Sequence, residues 1–252
     1  MKLFFRRLGA GKPLIILHGV FGNSDNWLTI SKKIAERYEV FLLDQRNHGQ
    51  SPHSEVFDYQ AMTDDLLEFV EEHQLIEPII VGHSMGGKVA MSFALQYPEK
   101  TGKLVVVDIA PRAYPPHHEA ILKGLKNMPL AKLTTRQEAD DFLSEYVPEL
   151  STRQFLLKNL YRDESGKFAW RINLPVIDRQ MPVILGNISS KNTFDKPTLF
   201  MGGELSKYIQ PPDYEQIRAL FPKASIRYVK GAGHWVQAEK PKEFLEELFL
   251  FL

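Results

Sequence analysis

An α/β fold with a mostly parallel central sheet flanked by helices, and a helical cap inserted between strands, is what this sequence predicts. Three observations carry that expectation: short apolar runs alternate with amphipathic segments, one glycine-rich strand-to-helix turn holds a serine, and the alternation breaks between residues 112 and 193. The chain has 252 residues, 44% of them hydrophobic, with 31 Lys+Arg against 31 Asp+Glu and no cysteine. A chain this long buries roughly 70–75% of the surface that its unfolded form exposes, enough for a full core. Without cysteine there are no disulfide scaffolds and no cysteine-ligated zinc or iron–sulfur sites. Zero formal charge and no long block of like charges give no footprint for nucleic acid or an anionic membrane. MKLFFRRLGAGKP lacks the apolar core of about 7–15 residues that a secretory signal needs, and no run approaches the roughly 20 apolar residues of a membrane helix. The expectation is a soluble cytoplasmic protein whose partner is a small molecule.

Taken in order, KLFFRR and LIILHG read as strands, a helix follows near Trp27 to Tyr38, and VFLLD is the next strand. A helix near Ala61 to Leu75, the strand IIVGHS, a helix from Gly86 to Tyr97 and the strand LVVVDIA continue the alternation. It resumes at PTLFMGG, with a helix near Tyr214 to Phe221, the strand SIRYVKG and a last helix near Glu243 to Leu250. Continuous runs such as IIV and LVVV are those of strands covered on both faces by crossover helices. Residues 1–111 and 194–252 therefore read as one core. Residues 112–193 read as a cap above the strand ends, with capping-box spacings at Thr135/Glu138 and Ser151/Gln154 opening two helices.

The stretch Gly82-His83-Ser84-Met85-Gly86-Gly87-Lys88 places G-x-S-x-G between an apolar strand and a helix, the context in which a serine becomes an exposed nucleophile. Small neighbours are required because the turn is strained, and Gly82, Gly86 and Gly87 supply them. A nucleophilic serine needs a base. His234, in Lys230-Gly231-Ala232-Gly233-His234-Trp235, follows the strand SIRYV and comes out on the same strand-end face. His18 and His48 read as loop-shaping residues, and His117 and His118 have no carboxylate at metal-ligand spacing, so no metal and no cofactor are expected. Two carboxylates could orient His234: Asp108 at the end of LVVVD, in the chain order serine, acid, histidine, and Glu204 at the end of the next strand. The backbone N–H groups of Met85 and Val20 are candidates for an oxyanion hole. Phe21, His83, Trp170 and Tyr208, with Phe142 and Phe155, are candidates to line an acyl pocket.

HGVFG, DQRNHGQS, GHSMGGK, VDIAP, WRINLP and GAGHWVQAEKP, in this order and spacing, resemble the α/β-hydrolase superfamily over nearly the whole chain. Within it, RNHG, GHSMGGK, D-I-x-P and GHW-x-x-A-[DE]-[KR]-P together resemble the YbfF-type esterases and their mitochondrial relatives. The resemblance implies an acyl-ester or thioester hydrolase with Ser84 as nucleophile, His234 as base and Asp108 as acid. Glu204-Leu205-Ser206-Lys207 departs from the asparagine-serine pattern of those proteins. Two other readings use the same chain. A C–C bond hydrolase or lyase would need a carboxylate-binding arginine, for which Arg46, Arg112 and Arg171 are available. A non-enzymatic small-molecule binder would need no nucleophile. Nucleotide binding is not expected, because Gly11-Lys12 is followed by Pro13 and neither GAGHWV nor GHSMGG completes G-x-G-x-x-G.

Overall fold

In the computed structural model, which describes residues 1–252, the apolar runs pair into one seven-stranded sheet. In chain order the elements are β1 (Phe5–Leu8), β2 (Pro13–Leu17), α1 (Leu28–Ile34), β3 (Glu39–Leu43), α2 (Tyr59–Glu72), β4 (Ile79–His83), α3 (Met85–Gln96) and β5 (Lys103–Val107). Then come α4 (Glu119–Asn127), α5 (Arg136–Ser144), α6 (Leu150–Leu157), β6 (Leu160–Arg162), β7 (Phe168–Trp170) and α7 (Leu174–Ile184). The chain ends with β8 (Thr198–Gly203), α8 (Tyr214–Leu220), β9 (Ala224–Val229), α9 (Val236–Glu239) and α10 (Pro241–Phe251). The sheet order is β1-β3-β2-β4-β5-β8-β9, with only the edge strand β1 antiparallel to its neighbour.

Strand alternation divides the core in two. Ile15, Leu17, Leu104 and Val106 face one layer with α2, α3 and α8, while Leu14, Ile16, Val105 and Val107 face the other with α1 and α10. Both faces of β2, β4 and β5 are thus dry, which is why those strands read as unbroken apolar runs. Leu122, Leu143, Leu156 and Ile177, from the segment between β5 and β8, belong to the same apolar cluster as α2 and α3. That segment holds two helices, α4 and α7, and the β6–β7 hairpin in addition to the two helices expected from sequence. Thr135 caps α5 as its spacing predicts, accepting from the Glu138 N–H. Ser151 does not cap α6, because that helix begins one residue earlier, behind Glu149.

The order reverses between β2 and β4: β3 lies to one side of β2, and β4 opens the other side. In an open parallel sheet the crevice beyond the carboxyl ends at such a switch point is where ligands bind. The turns after β2 and β4 therefore meet at the place where chemistry is to be sought. Beside it, the loop after β3 is fastened to α2 by a buried ion pair. Arg46 Nε and Nη2 donate to the two oxygens of Asp65 at 2.6 and 2.8 Å, and its remaining N–H groups donate to the carbonyls of Val56 and Ala61. No helix is long and apolar enough to cross a membrane.

Arg46→Leu leaves the buried Asp65 carboxylate with the Met1 ammonium at 2.7 Å as its one remaining cation and should cost up to about 3–5 kcal/mol, read as a fall in the urea midpoint. The Arg46→Leu/Asp65→Leu double variant should recover most of that loss.

Candidate active site

Ser84 joins β4 to α3 at φ 53° and ψ −119°, a conformation that costs a non-glycine residue of order 1–3 kcal/mol. Its surroundings impose the strain. The Ser84 N–H donates to the Val107 carbonyl at 3.0 Å, which fixes the turn to β5. A Cβ on Gly82 would lie 2.2 Å from the Gly86 carbonyl oxygen, and one on Gly86 would lie 2.4 Å from that of Leu17. The glycines thus let the first turn of α3 press onto β4 and β2, which leaves the Ser84 side chain half-exposed at the strand ends. Met85 is the first residue of α3, where backbone N–H groups have no partner within the helix.

Facing this turn is the loop after β2. Gly22 N–H closes a tight turn onto the Gly19 carbonyl at 3.0 Å, with Phe21 at φ 62°. Phe21 is held there from both sides. Its N–H donates to His48 Nε2 at 3.2 Å, and its carbonyl accepts from Asn159 Nδ2 at 2.6 Å. His48 Nδ1–H in turn donates to the Arg46 carbonyl, and His18 bridges the Gly19 carbonyl and the Gln45 N–H in the same way. Burial holds both imidazoles neutral, pulling His18 down to about 4 and His48 to about 3. No protein acceptor takes the Val20 N–H.

The imidazole of His234 meets Asp108, with Nδ1 at 2.7 Å from Oδ2. Asp108 is fully buried. Its Oδ1 accepts from the Gly203 N–H at 3.0 Å, and its Oδ2 also accepts from the Ser206 hydroxyl. Burial raises the Asp108 carboxyl to about 6, opposed by the Ser206 and Gly203 donors. Burial, and after it the nearby His117, lower His234 below the ordinary imidazole range. At pH 7 the pair is a carboxylate beside a neutral imidazole. Tyr208 stacks on that imidazole at 4.0 Å and 20°, and His83 Nε2–H donates to the His234 carbonyl at 2.9 Å.

A sequence model of the α/β-hydrolase fold matches residues 12–241. The chain belongs to the α/β-hydrolase family. It is 41% identical over 252 residues to the sn-1-specific diacylglycerol lipase ABHD11 of Danio rerio, a match covering 97% of this chain and 79% of that one. Against the esterase YbfF of Escherichia coli (strain K12) it is 34% identical over 258 residues, covering 100% and 99%. Among solved structures, one described as a marine microorganism esterase superposes with a TM-score of 0.98 at 41% identity, covering 100% of this chain and 99% of the other.

In this α/β hydrolase Ser84 and His234 line one narrow cavity together with Val20, Phe21, His83 and Phe155. Tyr208 lines an adjoining cavity that also reaches Ser84, Val20 and Met85. Three expected positions fall elsewhere. Glu204 does not reach the imidazole, because its Oε2 accepts the Gly231 N–H at 2.8 Å and shapes the loop before His234. Trp170 sits in the β6–β7 hairpin opposite Leu160, and Phe142 packs on Tyr146; neither lines the cavities at Ser84. None of the three arginines reaches those cavities either. Arg46 is saturated by Asp65 and two carbonyls, Arg112 pairs with Asp213, and Arg171 lies over the Tyr161 ring. Two contacts escaped the sequence reading, Ser206 on Asp108 and Asn159 on Phe21. No local pattern in the sequence marks either contact.

Asn159→Leu nearly conserves volume but leaves the Phe21 carbonyl without its donor. It should cost about 1–3 kcal/mol, read as a lower thermal midpoint.

Proposed function

We propose that this α/β hydrolase cleaves carboxylic esters through an acyl-enzyme on Ser84. The observation that carries the reading is the strained Ser84 turn opening into the same cavity as an imidazole whose other nitrogen is held by a buried carboxylate. In this reading Ser84 Oγ attacks the acyl carbonyl while His234 Nε2 takes its proton. The N–H groups of Val20 and Met85 hold the developing oxyanion, and the alcohol leaves with the proton from His234. Water, deprotonated by the same imidazole, then attacks the acyl-enzyme and releases the acid. Asp108 fixes the imidazole tautomer and offsets the imidazolium charge. Ser206 and the Gly203 N–H hold Asp108 ionised despite its burial. Residues 112–193 act as a cap over this cavity. All the chemistry is carried by side chains and backbone of the chain itself.

Relatives named esterase and lipase favour oxygen esters over thioesters as substrates. The C–C hydrolase or lyase reading loses its support with the three arginines committed elsewhere. A pure binder has no use for a serine held in a strained turn opposite a carboxylate-bound imidazole.

The test is hydrolysis of p-nitrophenyl esters from acetate to palmitate. Wild-type turnover should vanish in Ser84→Ala, and Asp108→Asn should lower kcat by about 10³–10⁴ through the wrong imidazole tautomer, while Glu204→Gln stays near wild type. Turnover that survives in Ser84→Ala, or a crippled Glu204→Gln with a healthy Asp108→Asn, would overturn the assignment.

The pH profile has a definite sign. Neutral His234 and ionised Asp108 are the working forms, and burial lowers the pKa of the first and raises that of the second. Both therefore keep the working state intact from pH 7 upward and lose it only as pH falls. kcat/KM should stay level from pH 7 to 9 and drop on the acid side with one apparent pKa, belonging to the pair, below the free imidazole value of about 6.5. An apparent pKa at or above the free imidazole value of about 6.5, or a loss of kcat/KM between pH 7 and 9, would overturn this assignment of the working forms.

A further inference from the structure

Tyr208, in the loop after β8, lies face to face on the His234 imidazole, with ring centroids 4.0 Å apart and planes at 20°. Two other aromatic neighbours of that imidazole, His83 and Trp235, are tilted against it at 43° and 54°. The stacked ring is tied at three points. Its backbone N–H donates to Ser206 Oγ at 3.2 Å, its carbonyl accepts from the Tyr114 hydroxyl at 2.6 Å, and its own hydroxyl meets His117 Nε2 at 2.5 Å. His117 Nδ1 faces the Pro115 carbonyl at 2.7 Å and so carries a hydrogen, which leaves Nε2 of the neutral ring to accept from the Tyr208 hydroxyl. Ser206 also donates to Asp108, so the carboxylate and the stacked ring share one anchor.

Resting on the ester hydrolase reading, we propose that Tyr208 is a positioning residue whose ring face stabilises the His234 imidazolium. In that reading the Ser84 hydroxyl proton passes to His234 Nε2 and from there to the leaving oxygen, so the imidazole is a cation only while a tetrahedral intermediate exists. A cation over an aromatic face, within about 6 Å of the ring centroid, is drawn to the negative π density there. The neutral imidazole that begins and ends each half of the reaction feels far less of that attraction. Tyr208 therefore lowers the barrier without tightening the resting state.

This role is separate from that of Asp108. The carboxylate holds the imidazole by its edge, through Nδ1, whereas Tyr208 holds it across its plane. A phenol that donates to His117 keeps more electron density on its oxygen and hence on its ring, which deepens the attraction. The other titratable groups around His234 supply no such face. Burial, foremost among the causes, draws His83 and His118 down to about 3, so both are neutral near pH 7. His117 disfavours a charge on His234, and Glu239, which favours one, is already engaged by the N–H groups of Gly233 and Trp235.

The test replaces Tyr208 with phenylalanine, 3,5-difluorophenylalanine and pentafluorophenylalanine, which withdraw density from the ring face in that order at almost constant volume. Turnover of p-nitrophenyl butyrate is measured from pH 4 to 9. We expect kcat to fall along the series by about 2- to 30-fold in all, with KM within about twofold, as for an interaction made only in the transition state. The acid limb of kcat/KM should move to lower pH in the same order, because the protonated imidazole loses its partner. Tyr208→Leu should lose a similar factor, most of which Tyr208→Phe retains. A ring that served only as packing would give a flat fluorinated series, and in Tyr208→Leu an acid limb shifted upward, toward the free imidazole value of about 6.5, as water reaches His234. Either result, or a loss in Tyr208→Phe as large as in Tyr208→Leu, would overturn the inference while ester hydrolysis stands. No turnover of any ester by wild type would overturn the reaction reading, and this inference with it.

Discussion

The positive-φ turn at Ser84 is the constraint from which most of the site follows. To hold a serine at φ 53° the chain must bring the start of α3 into backbone contact with both β4 and β2, and the 2.2 and 2.4 Å clashes awaiting a Cβ at Gly82 and Gly86 measure how close that contact is. Such proximity is available only where β2 and β4 are neighbours and the sheet order reverses. The turn therefore fixes which loops surround the serine: the Gly19–Gly22 turn from β2 on one side, and the ends of β5, β8 and β9 on the other. The strain is sustained because each neighbouring segment is tied down by its own buried hydrogen bonds.

Those ties explain how the histidines divide their work. His18, His48 and His83 are buried, and each donates one ring N–H to a backbone carbonyl. Loss of solvent keeps all three neutral down to about pH 3 or 4. They brace loops and hold no proton to give near neutrality. His234 alone has a carboxylate on it, and that carboxylate is itself pinned by Gly203 and Ser206. What separates a structural imidazole from a candidate base here is the charge on the partner, since burial lowers them all.

How much of this was legible follows from the range of each interaction. The sheet could be read because strands dry on both faces have no freedom in composition: IIV and LVVV admit little else. Ser84 and His234 could be read because each sits in a glycine-rich segment whose local backbone demands those glycines. Strand position alone does not separate Asp108 from Glu204, since both end strands at the same edge; the family resemblance favours Asp108, and the path of the loop before His234 sends Asp108 to the imidazole and Glu204 to the Gly231 N–H. Ser206 on Asp108 and Asn159 on Phe21 join positions 98 and 138 residues apart, a distance over which no local pattern speaks. Helix α7 was hidden by Pro175 and Pro182, which mark breaks in a sequence but here stand in its first turn and within it. Ser151 misled in the opposite sense, a capping residue by spacing that the helix overran.

The segment between β5 and β8 is joined to the core by more than its apolar face. Lys88, one turn along α3 from Ser84, is almost wholly buried and has no carboxylate partner. Its ammonium instead reaches the carbonyl of Arg112, where the segment begins, and those of Leu185 and Gly186, where it ends. Tyr59 from α2 adds a bond to the Ile184 carbonyl at 2.6 Å, and the Tyr114 N–H ties the incoming strand of chain to Leu185 at 2.9 Å. Burial, and after it the nearby Arg112 cation, draw the Lys88 ammonium down to about 7; the carbonyl oxygens that converge on it favour its charged form. A single cation thus binds the two stems of the insertion to the helix that starts at the strained serine. The position of the segment between β5 and β8 and the position of the turn at Ser84 are in this way coupled through Lys88.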